Sequence, residues 1–483
     1  MAARSALALG LVGLLGAGAA QAQTQAPAPP SATTGALPAG TPLPHTLRDA
    51  LALTYATNPT LQTSRAQLRA TDENVPKALS GWRPQVVVTA AAGRGIGTDT
   101  QISNGFTSHT TLNRALDAEQ VQLTQPLYTG GKVPAQVHQA KNQVYSSRAQ
   151  LLATEEQVLF SAAQAYINVV QDEQLLQIDV GNEQILTKQL QSTNDRFRVG
   201  ELTRTDVAQA EASLASATAQ RETAEGTLQA ARATYEQFVG VPPDHLQAPQ
   251  PLQLPVRAYE QAQALAGRNN PNVVAALFNY AAAKDAFDVA YAALMPNLNV
   301  QVAGLRNRNE FFPGLTEVGG QVLANLTVPI YQGGAEFATI RQARQQAIQA
   351  RKQLDDQRRT AVQQAASAWE QLTAARASIA SGRAAVRANE IAVEGLEREA
   401  LVGSRTTLDV LIGIQSLLTA QTALVQSLAQ LVLASYQVAE GVGRLTARDL
   451  NLNVPLYDDK AYYNAVKNLW IGTGDYAIHD PGR

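Results

Sequence analysis

The chain has 483 residues, a formal net charge of −2, only 5% aromatic residues, two methionines and no cysteine. Without cysteine there are no disulfides, thiol catalysis or zinc-thiolate sites, and near-neutral charge with scattered arginines leaves no basic face for nucleic acid. Alanine, glutamine, serine and threonine fill the central thirds, which suits thin helical layers better than one thick core.

Arg4, an apolar glycine-rich run over 6–20 and the small-x-small end Ala20-Gln21-Ala22 predict a cleaved secretory signal over 1–22. Residues 23–46 are rich in Pro, Ala, Thr and Gly and predict a flexible linker. A helical pattern through Leu47, Ala50, Leu51 and Tyr55 then runs to Asn58-Pro59, where proline ends or restarts it. A second helix, about 60–79, stops before Trp82-Arg83-Pro84. The same arrangement returns at Asn270-Pro271 and Met295-Pro296, offset by 212 residues (270 − 58). The chain is therefore read as two repeats, 47–256 and 257–450.

After Pro84 and Pro296 the apolar period changes to two, as in Leu298, Val300 and Val302, in Val121, Leu123 and Leu127, and in Val322, Ala324, Leu326 and Val328. This predicts strands at about 85–101 and 112–128, then 297–306 and 319–331, forming two hairpins. Gly-, Asn-, Thr- and Ser-rich loops are expected near 93–111 and 306–317. The repeat offset falls from 212 to 203 here, so the first loop is expected to be nine residues longer (212 − 203). Each hairpin ends in a matching motif, QPLYTGGK from Gln125 and VPIYQGGA from Val328. Pro126 and Pro329 end ladder donation, Tyr128 and Tyr331 suit a water–lipid boundary, and Gly130, Gly131, Gly333 and Gly334 turn strand into helix.

No proline lies between Pro134 and Pro242, or between Pro329 and Pro455. Long helices are predicted at about 134–197 and 203–238, then 335–400 and 406–442; the first would be roughly 95 Å long. Each pair meets at a near-identical tip, RVGELTRTDV from Arg198 and LVGSRTTLDV from Leu401, with Val199/Val402, Gly200/Gly403, Thr203/Thr406 and Asp206/Asp409 each 203 positions apart (402 − 199). The glycines suit the left-handed end of one helix, and each Thr with an Asp three residues on suits the cap of the next. In the ascending helices a larger heptad row (Val207, Leu214, Leu228, Tyr235; Val410, Leu417, Leu424, Leu431, Val438) runs beside a smaller one (Ala210, Ala217, Ala224, Ala231, then Phe238; Gly413, Ala420, Ser427, Ala434, Gly441), with Arg221 interrupting the first. That pairing suits lateral knobs-into-holes packing. The tail, 451–483, is aromatic-rich and predicts one short helix around 459–469 packed against the body.

No apolar run near the ~20 residues of a spanning helix is read after the signal, so crossing a membrane would require a closed β-barrel. Four strands cannot close one, since the smallest barrels have about eight; several copies must share it, and three would supply twelve strands. The alternative is a periplasmic or secreted structural coiled coil without a pore. It accounts for the heptads and tips but leaves the alternating strands and both strand-to-helix junctions unexplained.

Taken together, the duplicated helix, hairpin and long-helix order, the Pro-x-Tyr-x-Gly-Gly junctions, the Asn-Pro breaks and the Val-Gly-x-x-Thr-x-x-Asp-Val tips resemble the TolC family of outer-membrane channel tunnels over about 47–450. The resemblance implies a mainly α fold with a membrane β-barrel: a homotrimer whose twelve-stranded barrel sits in the outer membrane of a Gram-negative bacterium, continued by a periplasmic α-barrel. It implies a passive exit duct of a tripartite efflux or type I secretion system. Substrates would arrive from an inner-membrane ABC or RND-type transporter through a periplasmic adaptor, a membrane fusion protein. No enzyme activity, cofactor or metal site is expected; His45, His109, His138, His245 and His479 are dispersed without ligand spacing.

Three-fold repetition would turn Asp206 and Asp409 into acidic rings that favour cations, while the same residues also fit helix caps that need no pore. Here the resemblance implies that Thr205, Asp206, Arg405 and Asp409 form the closed periplasmic mouth, with Arg405 placed to bridge to Asp206. It also implies that the tips at Val199, Gly200, Val402 and Gly403 receive the adaptor. Ala400 and Ile412 stand where the family's lock carries a tyrosine and a second acid, implying a looser lock, and the missing acylation cysteine argues against the lipid-anchored branch.

Overall fold

A computed structural model of the protein describes residues 44–254, 256–309 and 314–474; the expected signal, nearly all of the linker and the end of the tail lie outside them. The first repeat contains α1 (Leu47–Thr57), α2 (Pro59–Asp72), α3 (Asn74–Leu79), a 3₁₀ turn at Ser80–Trp82, β1 (Gln85–Ser103), β2 (Phe106–Tyr128), α4 (Lys132–Arg198) and α5 (Arg204–Val239). The second repeats this order with α6 (Tyr259–Asn269), α7 (Pro271–Tyr291), a 3₁₀ turn at Ala292–Leu294, β3 (Asn297–Arg308), β4 (Thr316–Thr327), α8 (Ala335–Leu401) and α9 (Thr407–Gly441). A short α10 (Ala461–Val466) lies in the tail.

The four strands form one antiparallel sheet in the order β1-β2-β3-β4, so β1 and β4 are its edges. Both hairpins share one register: Val86 faces Leu123 in the first, and Leu298 faces Leu326 at the repeat-related positions of the second. Directly opposed residues share a face, which puts Val86, Val88, Val121, Leu123, Val300, Val302, Val322, Ala324 and Leu326 on one side. Gln85, Gln120, Gln122, Thr124, Gln301 and Gln321 line the other, more polar side, with Val87, Leu305 and Leu323 among them. The apolar side is open, with Val322 70% and Leu326 65% exposed.

The first hairpin corrects the expected loop at 93–111. Strand pairing continues to Ser103 and Phe106, and only Asn104 and Gly105 turn, with φ of 50° and 80°. Asn-Gly with both residues left-handed is the two-residue turn whose twist matches the flanking strands. The nine extra residues, the two-residue turn in place of the loop between β3 and β4, and the early end of β4 together give β1 and β2 19 and 23 residues, against 12 each in β3 and β4. Pairing of β2 to β3 stops at Asp117, so 93–116 project beyond the rest of the sheet. The last strand is also corrected: it spans 316–327, not 319–331, because Pro329 sits on an edge without a partner, whereas β2 carries Pro126 through a register shift against β3.

α4 packs along α5, α8 along α9, and α7 joins the repeats by packing on both α4 and α8. Both heptad rows are buried in part, the small one at Ala210, Ala217, Gly413, Ala434 and Gly441 and the large one at Leu228, Tyr235, Val410 and Val438. A methyl on Gly413 would lie 2.8 Å from Leu396 Cδ1 and displace that side-chain end, whereas on Gly441 it would lie 3.2 Å from Ala365 Cα, where α9 comes close to the backbone of α8. Arg221 holds its place in the large row by pairing with Glu183 of α4 at 2.8 Å. One helix, α9, is long and apolar enough to cross a membrane by length and composition, contrary to the expectation that none follows the signal. It packs instead on α8 and α4, with Gln415, Gln421, Gln426, Gln430 and Gln437 spread along it.

Both Asn-Pro breaks act as staples. Asn58 Oδ1 accepts from Thr60 and Leu61 N–H at the start of α2, while its Nδ2 donates to Phe238 O at the end of α5. Asn270 does the same between Asn272 N–H and Gly441 O at the end of α9. Each side chain thus satisfies one helix N-terminus and one helix C-terminus at once.

Candidate functional site

The helix-hairpin tips are built by backbone rules. α4 ends at Arg198 with Val199 as its cap; Gly200 (φ 83°) donates N–H to Phe197 O at 3.0 Å and Glu201 donates to Arg196 O at 3.0 Å. α8 ends the same way, with Gly403 (φ 76°) donating to Ala400 O and Ser404 to Glu399 O. These paired bonds close the last turn of a helix through a left-handed residue, which costs little only for glycine. No atom lies within 4 Å of where a Cβ would sit on either glycine, so backbone conformation alone selects them. Val199 and Val402 are strongly exposed beside them.

Each following helix starts with a full capping box. Asp206 Oδ2 accepts from Thr203 N–H and Oγ1–H at 2.9 and 2.6 Å, and Thr203 Oγ1 accepts from Asp206 N–H. Thr406 and Asp409 repeat the arrangement at 3.0 and 2.8 Å. Hydrogen bonds from Thr203 hold the Asp206 carboxyl below the usual carboxylate range; Thr406 and, less strongly, the Arg405 charge do so for Asp409. Both acids are therefore anionic at neutral pH, and Thr205 is exposed beside the first.

Within the chain Arg405 does not bridge to Asp206: its Nε pairs with Glu399 Oε2 at 2.9 Å across its own turn. The first tip carries the reverse polarity, Arg196 Nε pairing with Glu201 at 3.0 Å. Arg196 also donates to Ala400 O at 3.3 Å, tying the two hairpins together. Sequence reading missed Arg196, although it stands at the repeat position of Glu399 and the charge reversal was there to find. Ala400 is buried among Leu186, Ala217, Val410, Leu411 and Ile414 of both hairpins, while Ile412 is exposed.

At the opposite ends of α4 and α8 the junction glycines all have positive φ: Gly130 65°, Gly131 87°, Gly333 71° and Gly334 85°. Gly130 is additionally pinned, since a Cβ there would lie 2.6 Å from Met295 Cβ and 2.9 Å from Ala292 O. The other three have open space. Tyr128 and Tyr331 are exposed at this level, and Tyr128 stands in register with Leu298 on the apolar side of the sheet.

A third cluster lies where α9 turns into the tail. Glu155 and Glu156, adjacent on α4 and buried, accept backbone N–H from Ala447 at 2.7 Å and Leu445 at 3.2 Å. Burial pushes the Glu156 carboxyl up to about 9, with Glu440, Glu155 and Asp449 adding repulsion; burial also raises Glu155, and takes Glu440 up to about 7. Among the described residues no group of acids, histidines or cysteines could hold a metal ion.

Residues 50–241 and 262–447 match the family described as "Outer membrane efflux protein". The chain is 36% identical over 434 residues to the outer membrane efflux protein BepC of Brucella suis biovar 1 (strain 1330), covering 89% of this chain and 92% of that protein. It is 25% identical over 420 residues to the outer membrane protein TolC of Escherichia coli (strain K12), covering 81% of each. Its fold matches the crystal structure of the outer membrane protein VceC from Vibrio cholerae with a TM-score of 0.71 at 20% identity, covering 82% of this chain and 96% of that one.

Proposed function

The chain belongs to the outer membrane efflux protein family, the TolC-type channels of Gram-negative outer membranes, which transport and do no chemistry, and from that premise we propose how it works: three copies close one twelve-stranded barrel, and their long helices continue the duct into the periplasm. One observation carries this reading. The four-stranded sheet has two unpaired edges and an exposed apolar side backed by a polar one. Exposed edges of this length invite pairing with another chain, and an apolar outside with a polar inside is what a membrane barrel requires. The 12-residue strands β3 and β4 match the ~9–11 residues a tilted strand needs to span.

In this reading Thr205, Asp206, Arg405 and Asp409 surround the periplasmic mouth, and the Val199-Gly200 and Val402-Gly403 tips receive a periplasmic adaptor that links the duct to an inner-membrane ABC or RND-type transporter. Six anionic carboxylates at a narrow opening favour cations. The ion pair Arg405–Glu399 is exposed and weak and Arg196–Glu201 is half-buried on the arginine side only, which suits a mouth that must open. The test is single-channel recording in planar bilayers: Asp206→Ala is expected to lower cation preference and Arg405→Ala to raise conductance. Unchanged conductance and selectivity in both would remove these residues from the gate. For the adaptor, Gly200 or Gly403 changed to a bulky residue should abolish its crosslinking to the tips, and retained crosslinking with intact export counts against docking there.

A further inference from the structure

We infer that Trp470 and Ile471, in the tail, form a membrane anchor seated in the phospholipid headgroup layer at the periplasmic base of the barrel. The inference rests on the reading of the sheet as barrel wall, and adds a lipid contact that the strands do not make. The tail before this point is well packed: Tyr457 N–H donates to Tyr55 Oη at 3.0 Å, Asp459 pairs with Arg148 at 3.4 Å, and Tyr463 lies against Val75, Ala140 and Val144. Trp470 and Ile471 break that pattern, at 65% and 90% exposed.

Their height is set by Arg83. Its Nη1 donates to Leu469 O at 2.6 Å, and its guanidinium lies 4.9 Å from the centre of the Trp470 ring. Arg83 stands two residues before Gln85, where β1 begins, and the neighbouring Trp82 O accepts from Gln125 Nε2 of β2. The tail is thus fastened to the foot of the sheet. At that level Leu127, Tyr128, Val328, Ile330 and Tyr331 are exposed as well, continuous with the open apolar side above. An indole has an apolar body and one N–H donor, which suits the boundary between headgroups and acyl chains, and Arg83 and Lys467 supply cations for lipid phosphate. Lipid is favoured over water or a polar lumen because the exposed groups are apolar and adjoin the face that already requires lipid.

The chain contains three tryptophans, so Trp82→Phe with Trp369→Phe leaves Trp470 as sole reporter. The full chain is reconstituted into phosphatidylethanolamine and phosphatidylglycerol vesicles carrying bromines near the headgroup or near the chain ends. Headgroup-proximal bromines should quench Trp470 emission at least about twofold, and more than deep ones. A second protein with Trp470→Phe and Val322→Trp reports the barrel face and should be quenched by both lipids. Quenching of the Val322→Trp reporter alone, with Trp470 open to aqueous acrylamide or shielded from both quenchers by protein, overturns the anchor and leaves the barrel standing. Quenching of neither overturns both. Because the chain lacks cysteine, Ile471→Cys carrying a polarity-sensitive dye repeats the measurement with all three tryptophans intact; an emission blue shift on adding vesicles is expected, and no shift contradicts the anchor.

Discussion

Gly130 and Gly131 share one motif and one left-handed backbone, yet different forces hold them. Gly131 has open space around its absent side chain, so Gly131→Ala should cost only the ~1–2 kcal/mol of a left-handed alanine. Gly130 faces Met295 and Ala292 of the second repeat, so Gly130→Ala adds an overpacking cost of about 1–3 kcal/mol. The denaturant midpoint of each variant should therefore fall in the order Gly131→Ala, then Gly130→Ala; equal midpoints would mean that the Met295 contact does not form. The need for glycine was legible at both positions because the motif repeats. What distinguishes them was not, since it depends on a residue 165 positions away (295 − 130) that only the sheet brings close. The same limit applies to Arg405, whose charge was readable but whose choice of Glu399 over Asp206 depends on how its own turn closes.

At the scale of elements, the two capping aspartates and the buried Glu156 respond to pH in opposite windows. Asp206 and Asp409 have folded pKa values held below the ordinary one, so the stability of their caps is present above that range and lost as pH falls below about 4. Hydrogen exchange should accordingly show the first turns of α5 and α9 fraying only in acid. Glu156 is the reverse case, raised from 4.5 to about 9. Between those values the folded chain keeps a proton that the unfolded chain has released, so stability declines as pH rises through the interval. Glu156→Gln retains a neutral acceptor for Leu445 N–H and should make that decline shallower by up to about 1.4 kcal/mol per pH unit. An unchanged pH dependence of unfolding would place the proton elsewhere. This cluster was not legible in sequence, because adjacent glutamates on a long helix read as solvated until the corner after α9 folds over them. The long helices and tips were legible, since heptads, glycines and caps act locally; the first hairpin was misread because its polar composition outweighed the Asn104-Gly105 turn signal.

On the scale of the whole molecule, the duplication makes the account specific. Within one chain β2 pairs with β3 so that Leu123 faces Val302. The repeat maps Leu123 onto Leu326 of β4 by its offset of 203, and Val302 onto Ala90 of β1 by its offset of 212. If copies close a ring by repeating the contact they already make internally, Leu326 of one chain faces Ala90 of the next. The four-strand sheet with two open edges was foreseeable from alternation and strand count, whereas this register required the observed pairing. The most direct measurement is disulfide formation in the cysteine-free background. Leu326→Cys with Ala90→Cys should give covalent dimers and trimers and nothing larger in outer membranes, while Leu326→Cys with Val86→Cys, displaced along the same face, should stay monomeric. Absence of crosslinks from the first pair, or an open ladder beyond three, would contradict a barrel shared by three chains.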